Sequence, residues 1–256
     1  MPESRAGEVL LRASRVSRSF GGLKAVDDVS VAVRQGTVHA VIGTNGAGKS
    51  TLINLLCGEI QASQGTVELL GHDVSRWSQP RRAQAGLGRS YQRNTIYAPF
   101  TVFENCRLSA QARLQRPWAW FTPASSCATT CAAASHALER TGLAAQAHLI
   151  AGTLSHGQKR QLEIAMCLAT GPRVLVLDEP LAGMGAEESE RMLALLEGLK
   201  AEHAILLVEH DMGAVFRVSD EITVMVNGRV IATGAPEEIR ANAEVQTAYL
   251  GEEGAN

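Results

Sequence analysis

The feature that most constrains this chain is a glycine-rich segment that directly follows the apolar run Val38 to Ile42. Its residues are Gly43, Thr44, Asn45, Gly46, Ala47, Gly48, Lys49, Ser50 and Thr51. A glycine, four residues and then Gly-Lys-Ser form the P-loop pattern, in which backbone N–H groups turn inward around a polyphosphate. Because mostly apolar residues follow from Leu52 to Leu56, we expect a strand, a phosphate loop and a buried helix whose first turn attracts anions.

Two side chains of this loop have chemistry that suits a nucleoside triphosphate. We expect the Lys49 ammonium group to reach the terminal phosphates and the Ser50 hydroxyl to bind a Mg²⁺ ion. The P-loop by itself does not separate kinases, GTPases and transport ATPases, all of which begin this way. The class of protein must therefore come from the rest of the chain.

Size and charge limit that class. With 256 residues, 45% of them hydrophobic, the chain can form one large core or a core with an inserted lobe. A formal net charge of −2 provides no basic field, so nucleic-acid binding is disfavoured. No apolar run approaches the ~18 residues of a membrane span, and the start of the chain lacks the hydrophobic stretch of a signal peptide, so we expect a cytosolic location.

The cysteines are odd in number and scattered, which indicates reduced thiols. They are Cys57, Cys106, Cys127, Cys131 and Cys167. Cys127 and Cys131 could share one helical face. They would make a weak metal site, because structural zinc normally needs four ligands.

Short apolar runs bounded by turn residues predict strands on both sides of the P-loop. They are Leu10 to Val16 and Val29 to Val33 before the loop, and Gly65 to Gly71 after it. The first two are expected to be joined by the segment Ser19 to Gly22, which contains Phe20. Periodicity alone favours Phe20 as a core aromatic, and the alternative is a stacking platform for an adenine ring.

The stretch from Asn94 to about Thr153 has a different composition and predicts a mainly helical inserted lobe. Its centre is rich in Ala, Ser, Thr and Cys as far as Ser135, which predicts an irregular segment, and helical spacing resumes at His136 to Leu143. The aromatic cluster Pro117 to Phe121 could contact a membrane partner or form a small local core. Just before the lobe, Gln92 by itself indicates only a solvated loop glutamine.

A polar, glycine-containing loop opens the next predicted helix. The loop is Leu154-Ser155-His156-Gly157-Gln158, and apolar residues then recur at helical spacing from Leu162 to Ala169. The start of such a helix attracts anions, but a serine there is also an ordinary N-cap. The residues alone favour the cap.

The fully apolar run Val174 to Leu177 is typical of a strand inside a parallel sheet, and it ends at Asp178 and Glu179. Two carboxylates at the end of a buried strand need a cation or another partner. Since the chain already has a P-loop, we expect Asp178 to hold Mg²⁺. Glu179 would accept a proton from an attacking water.

A second apolar strand, Ala204 to Val208, leads into Glu209 and His210. Open α/β sheets place their ligands at the carboxyl ends of the strands, so His210 could contact a γ-phosphate there. Further on, the Asn-Gly pair at 227–228 predicts a hairpin, and the tail from Pro236 is predicted to be helical.

Taken in order, these segments resemble the ATP-binding subunit of an ABC transporter, and the resemblance covers nearly the whole chain. Phe20 matches the adenine-stacking aromatic, Gly43 to Thr51 the P-loop, Gln92 the glutamine that senses metal and water, Leu154 to Gln158 the signature, Leu177 to Glu179 the metal and base strand, and His210 the switch histidine. The resemblance implies an α/β fold: a P-loop NTPase (RecA-like) core with an antiparallel β subdomain and an inserted α-helical lobe. The core would span residues 1–92 and 154–256, and the lobe residues 93–153.

The resemblance also implies a composite site for ATP and Mg²⁺. Its residues would be Ser50, Gln92 and Asp178 at the metal, and Lys49, Gln92, Glu179 and His210 in catalysis. In this family the signature of one subunit closes on the γ-phosphate that another subunit binds. Ser155, Gly157 and Gln158 are therefore expected to contact ATP held by a second ATP-binding subunit, which is either another copy of this chain or a relative.

Four phrases are similar to the branched-chain amino-acid importer type, which includes carriers of urea and short amides. They are Phe20-Gly21-Gly22-Leu23, Leu154-Ser155-His156-Gly157-Gln158, Val208-Glu209-His210-Asp211-Met212 and Ala248-Tyr249-Leu250-Gly251-Glu252. The resemblance implies transmembrane permease partners, an external or periplasmic solute-binding protein, and a peripheral position on the inner face of the cell membrane. Partner chains choose the cargo, so the sequence does not name it.

Three positions depart from the family pattern. His156 replaces the commoner glycine of the signature, Thr44 stands where many relatives have proline, and Gly185 stands where the family has aspartate. Ser155 and Gly157 keep the hydroxyl and the close backbone approach of the signature. Gly185 weakens the inference of the usual cross-subunit aspartate contact.

Three alternative functions stay open at this point. ATPase subunits for lipid or lipopolysaccharide export closely resemble the importer type. Soluble ABC proteins of translation or DNA repair usually carry two cassettes or a long coiled coil, which this sequence lacks. A P-loop kinase would yield a phosphorylated product in place of free phosphate.

Overall fold

The structure, a computed structural model, describes residues 7–91, 95–114 and 127–253. In these ranges the strands are β1 (Val9–Phe20), β2 (Leu23–Arg34), β3 (Val38–Gly43), β4 (Gln64–Leu69), β5 (His72–Asp73), β6 (Leu87–Arg89), β7 (Val174–Asp178), β8 (Ala204–Val208), β9 (Glu221–Val226) and β10 (Arg229–Gly234). The helices are α1 (Lys49–Cys57), α2 (Gln79–Ala85), α3 (Val102–Leu114), α4 (Ala128–Arg140), α5 (His156–Ala169), α6 (Ala186–Lys200), α7 (Met212–Val218), α8 (Pro236–Ala241) and α9 (Ala243–Glu253).

A six-stranded sheet in the order β10-β9-β3-β8-β7-β6 forms the centre of the fold. All its pairs are parallel except the β9–β10 hairpin, which turns at Asn227 and Gly228 as predicted. Every residue of β3, β7 and β8 is buried, which confirms the prediction from their apolar runs. Because β3, β8 and β7 are neighbours and parallel, their carboxyl ends meet at one edge of the sheet.

A second sheet, antiparallel in the order β2-β1-β4-β5, confirms the predicted antiparallel β subdomain. The predicted joining segment 19–22 is corrected here, because Ser19 and Phe20 still belong to β1 and pair with residues of β2. Only Gly21 and Gly22 form the turn. The positive φ of +58° at Gly21 explains why a two-residue hairpin can close there.

Apolar side chains cover both faces of the central sheet. Along β3, Val38, Ala40 and Ile42 pack with α6 and α7 on one face, whereas Val41 packs with α1 and the antiparallel sheet on the other. This alternation follows from the two-residue period of a strand. The central sheet is therefore fixed from two sides, and its carboxyl edge is held in place by both cores.

A third apolar cluster joins α3 and α4 to α5. The helix α4 begins at Ala128, so the prediction that 128–135 is irregular was wrong. Alanine is the best helix former, and Thr130 satisfies its hydroxyl by donating to the Cys127 carbonyl at 3.0 Å. The helix α5 lies in the predicted core but packs in the same cluster as α3 and α4 of the predicted lobe. The division into a core of residues 1–92 and 154–256 and a lobe of residues 93–153 remains a prediction. The cluster at 117–121 lies outside the described residues.

Two further observations concern the described helices and the cysteines. Among the described helices, none is both long and apolar enough to cross a lipid bilayer. All five cysteines lie in the described ranges, and no disulfide joins any of them.

Candidate functional site

Close packing gives the P-loop its shape. A Cβ atom added to Gly43 would lie 2.2 Å from the Met225 carbonyl oxygen of β9, and one added to Gly48 would lie 2.2 Å from the Ala25 carbonyl oxygen of β2. Gly48 also has a φ of +99°, which a side chain rarely adopts. These two positions therefore require glycine for reasons of space as well as conformation.

The loop ends at the start of α1, where Gly48 is the N-cap and no described side chain caps the helix. The first turn of α1 also contains no acidic residue. Its N–H groups and the helix dipole are thus available to an anion. Lys49 lies over the loop and donates to the carbonyl oxygens of Gly43 and of Thr44, the second at 2.9 Å.

The departure at Thr44 is compatible with this loop. Its carbonyl oxygen accepts from the Ala47 N–H at 3.1 Å as well as from Lys49. Both contacts use the main-chain carbonyl group of residue 44, so they do not depend on which side chain this residue carries. Around them, Asn45, Gly46 and Ser50 are exposed, Thr51 is partly buried, and Ala47 is buried.

Asp178 and Glu179 lie at the carboxyl end of β7, as predicted. Asp178 is only 5% exposed, and the Arg89 guanidinium lies 3.9 Å from its carboxylate. Burial raises the pKa of Asp178, and Arg89 opposes that shift. Glu179 has a φ of +50°, which is unusual for a residue with a side chain, and its N–H donates to Val208 at 2.8 Å.

The raised pKa of Asp178 leads to a stability prediction. The folded chain holds this proton more tightly than the unfolded chain, so stability falls as pH rises from the ordinary value of 3.8 through the raised pKa. At pH 7, Asp178→Asn should therefore raise the unfolding temperature of the nucleotide-free protein by about 2–4 °C, the shift that ~1 kcal/mol produces at this size. Thermal unfolding at pH 7 and near pH 4 checks this, since the gain should shrink at the lower pH. A loss of stability at pH 7 in Asp178→Asn would contradict it.

At the end of β8, His210 is exposed and the preceding Glu209 is buried. Glu209 accepts from the N–H of Leu181 at 2.8 Å and from the N–H of His210 at 3.1 Å. Burial raises the pKa of Glu209. The sequence placed Glu209 at this strand end but gave it no role.

The loop before α5 is an N-cap, as the residues alone favoured. The Ser155 hydroxyl accepts from the Gln158 N–H at 3.2 Å, and the Gln158 side chain accepts from the Ser155 N–H at 3.0 Å. The same hydroxyl donates to the Glu188 carboxylate of α6 at 3.0 Å. A Cβ atom on Gly157 would lie 2.5 Å from Glu188, so this carboxylate packs directly on the signature backbone.

The departure at His156 has a structural reason. Its Nε2 atom lies 3.0 Å from the Ala182 carbonyl oxygen, in the loop that follows Glu179. A Cβ atom added to Gly183 would lie 3.1 Å from the same nitrogen, so the glycine makes room for the imidazole. The other departure, Gly185, is the N-cap of α6 and offers no side chain to a partner.

Two predicted site residues need separate statements. Phe20 is 47% exposed, so its interpretation as a core aromatic was wrong, and the Arg18 guanidinium lies 5.1 Å from its ring centre. The role of Phe20 as an adenine platform stays a prediction. Gln92 lies outside the described residues.

Comparisons with known proteins show which family the chain belongs to. Residues 26–182 match the family described as ABC transporter, and residues 229–255 match the one described as branched-chain amino acid ATP-binding cassette transporter. Among curated relatives, the high-affinity branched-chain amino acid transport ATP-binding protein BraF of Pseudomonas aeruginosa is 39% identical over 250 residues, covering 95% of this chain and 98% of that protein.

Solved structures give the same result. A nucleotide-free ATP-binding cassette from an ABC transporter has a TM-score of 0.85 at 30% identity, covering 94% of this chain and 99% of the other. The ADP conformation of MJ1267, an ATP-binding cassette of an ABC transporter, has a TM-score of 0.83 at 29% identity, covering 95% and 99%. The chain therefore belongs to the ABC transporter family, of which it is an ATP-binding cassette.

Proposed function

We propose that this chain hydrolyses ATP to drive the uptake of branched-chain amino acids or related small solutes through permeases in the membrane. The observation that carries the ATPase role is the edge of the central sheet. There the P-loop follows β3, His210 follows β8, Asp178 ends β7, and Glu179 comes directly after it. A phosphate cradle, a carboxylate pair and an exposed imidazole at one edge suit the transfer of a phosphoryl group to water.

In this proposal the P-loop N–H groups and Lys49 neutralise charge on the phosphates, while Glu179 accepts the proton of the attacking water. His210 contacts the γ-phosphate from the neighbouring strand end. Phe20, exposed at the end of β1, stacks on the adenine ring. Gln92 would help to place the metal and the water.

The residues present fit a Mg²⁺ ion. Asp178 is a buried carboxylate whose pKa is raised mainly by burial. A nearby cation would offset the cost of burying its negative charge. Ser50 is exposed at the start of α1 and would supply a hydroxyl ligand. When bound, Mg²⁺ would offset negative charge on the phosphate oxygens.

We place the signature opposite the nucleotide of a second subunit, another copy of this chain or a relative. Ser155 is exposed, and it opens the 14-residue helix α5. The Ser155 hydroxyl, the backbone at Gly157 and the Gln158 cap would then meet a γ-phosphate across the interface. Loss of that phosphate would let the pair separate and drive the permease.

Glu188 sets a test of this placement. Its carboxylate holds the Ser155 hydroxyl in the single chain, so a partner's phosphate has to compete with it. Glu188→Gln should therefore lower the ATP concentration needed for half-maximal subunit association by about fivefold, which corresponds to a net ~1 kcal/mol. Light scattering measures the ATP dependence of association when both variants also carry Glu179→Gln, which is expected to block hydrolysis. Glu187→Gln, an exposed change on the same helix, is the control, and an unchanged or higher ATP requirement in Glu188→Gln would contradict the placement.

An exposed apolar patch supports the partnership with a permease. Tyr97, Phe100, Leu149 and Ile150 are each at least 40% exposed. The Tyr97 and Phe100 rings stack at 5.5 Å, and a bridge between Thr101 and Ile150 brings the second pair alongside. Contiguous exposed apolar side chains of this kind mark a protein interface.

Replacing two residues of this patch tests the partnership. Tyr97→Ser with Ile150→Ser should reduce the amount of permease that co-purifies by about tenfold or more, because buried aromatic anchors dominate interfaces. ATP-driven association of the subunits should stay unchanged. Leu23→Ser, at another strongly exposed residue, is the control. Undiminished co-purification of the double variant would contradict the assignment.

The substrate class rests on the match of residues 229–255 and on the relative BraF. These favour an importer, with an external solute-binding protein and a peripheral position on the inner face of the membrane, over an ATPase for lipid export or a soluble ABC protein. Cells with and without the chain can be compared for uptake of labelled leucine, isoleucine, valine and urea. Loss of leucine, isoleucine and valine uptake is expected. Unchanged uptake together with impaired lipid export would favour the alternative.

A further inference from the structure

A further carboxylate, besides those of Asp178 and Glu179, comes directly after the carboxyl end of β8. Glu209 is 1% exposed, and its two oxygens have different partners. One accepts from the N–H of Leu181 at 2.8 Å, and the other accepts from the N–H of His210 at 3.1 Å. Glu209 thus joins two backbone segments that are 29 positions apart in the sequence.

Both segments carry residues that the proposed function uses. Leu181 follows Glu179 by two positions, and the Glu179 N–H donates to the Val208 carbonyl at 2.8 Å. The end of β8 therefore holds the Glu179 loop at two points, one on each side of Pro180. On its other oxygen, Glu209 holds the main chain of His210 itself.

The conformation of Glu179 indicates why this hold is needed. A residue with a side chain at a φ of +50° is strained, and such strain persists only where the surrounding contacts over-determine the backbone. The Val208 carbonyl and the Glu209 carboxylate supply two of those contacts. Release of either would let the Glu179 side chain move away from its present direction.

A buried carboxylate that accepts these two hydrogen bonds is energetically unfavourable in its charged form. Burial raises the pKa of Glu209, and the nearby Glu179 adds to the shift. Within the described part of the chain, the group that pairs with Glu209 as a potential cation is the His210 ring, whose Nδ1 atom lies 3.7 Å away. A role in folding alone would be served at lower cost by a neutral group.

We propose that Glu209 is a positioning residue. It holds the main chain of the loop that carries Glu179 next to the main chain of His210, so that the Glu179 and His210 side chains point to the same phosphate and water. This rests on the proposed roles of Glu179 and His210. Each N–H group is received by a different oxygen of Glu209, and a carboxylate offers an acceptor at both positions. Glutamine has the same shape, but its amide group would point N–H toward one of these donors.

The test is Glu209→Gln in the complete subunit with its permease partner. We expect kcat for ATP hydrolysis to fall about tenfold or more, while KM for ATP and the affinity for ATP stay within about twofold, because one contact that sets the reacting geometry is lost. The unfolding temperature should not fall, because removal of a buried charge offsets the hydrogen bond that is lost. Asp220→Asn is the matched control: its carboxylate accepts from the Val38 N–H at 2.8 Å at the opposite edge of the sheet, and kcat should be unchanged there.

A double variant separates positioning from stability. If Glu209 acts through His210 and Glu179, the double variant Glu209→Gln/His210→Ala should lose less kcat than the product of the two single losses. A kcat of Glu209→Gln within twofold of the wild type, or a loss that follows a lowered unfolding temperature, would overturn the proposal. If Glu179→Gln also hydrolysed ATP normally, the proposed function itself would fail, which distinguishes the two.

Discussion

Glu179→Gln is expected to slow ATP hydrolysis by about 10²- to 10⁴-fold, the usual contribution of a general base, while ATP still binds. Glutamine keeps the size and the hydrogen-bonding shape of the side chain but cannot take a proton from water. The backbone contact of Glu179 to Val208 does not involve the side chain, so the loop should keep its conformation. Release of inorganic phosphate and equilibrium binding of labelled ATP measure the two quantities separately.

The control for this variant is Glu202→Gln. Glu202 lies two residues before β8, at the opposite end of that strand from the carboxyl edge, and pairs with Arg140 at 2.7 Å. This substitution removes the same charge and should leave hydrolysis unchanged. Near-normal hydrolysis in Glu179→Gln would refute its assignment as the base, and loss of ATP binding would show that the substitution acts on the cradle instead.

Lys49→Ala is expected to weaken ATP binding by about 10²-fold and to abolish measurable turnover at ordinary ATP concentrations. The ammonium group lies over the P-loop and donates to its carbonyl oxygens, and in the proposed function it neutralises the terminal phosphates. A hydrogen bond to a charged group contributes roughly 1.5–3 kcal/mol, and 1.4 kcal/mol corresponds to a factor of ten in affinity. Titration with a fluorescent ATP analogue measures the loss.

Lys200→Ala is the matched control for Lys49→Ala. Lys200 pairs with Asp220 at 3.1 Å on the opposite edge of the sheet, so its removal changes the net charge equally without touching the cradle. ATP affinity should then stay at the wild-type value. Equal weakening by both substitutions would indicate a general charge effect, and unchanged affinity in Lys49→Ala would contradict its role at the phosphates.

Much of the carboxyl edge of the central sheet could be predicted, because the sequence motifs that form it are local. A P-loop, a buried strand and the residues that follow it are all contiguous in the sequence, and parallel strands bring their carboxyl ends together. Gly43, Asp178 and His210 therefore lie at the ends of neighbouring strands, as the motifs indicated. The roles of these residues in catalysis stay predictions.

The contacts that connect these strand ends could not be predicted, because each depends on tertiary packing. The Ser155 hydroxyl meets Glu188, 33 positions away, and Glu209 meets the main chain of Leu181. Neither contact has a sequence period or a spacing that would reveal it. The exposure of Phe20 could not be predicted for a different reason. It depends on how far β1 extends beyond the core of the sheet, and an alternating sequence pattern carries no information on that length.

Nucleotide-driven pairing of two ATP-binding subunits is the step on which the proposed cycle depends. The most direct measurement is the mass of the Glu179→Gln variant, with its permease partner present, as ATP and Mg²⁺ are added. We expect a shift from single to paired subunits that saturates with ATP and reverses when ATP is replaced by ADP. Subunits that stay single at saturating ATP, or that pair equally well with ADP, would contradict the proposed cycle.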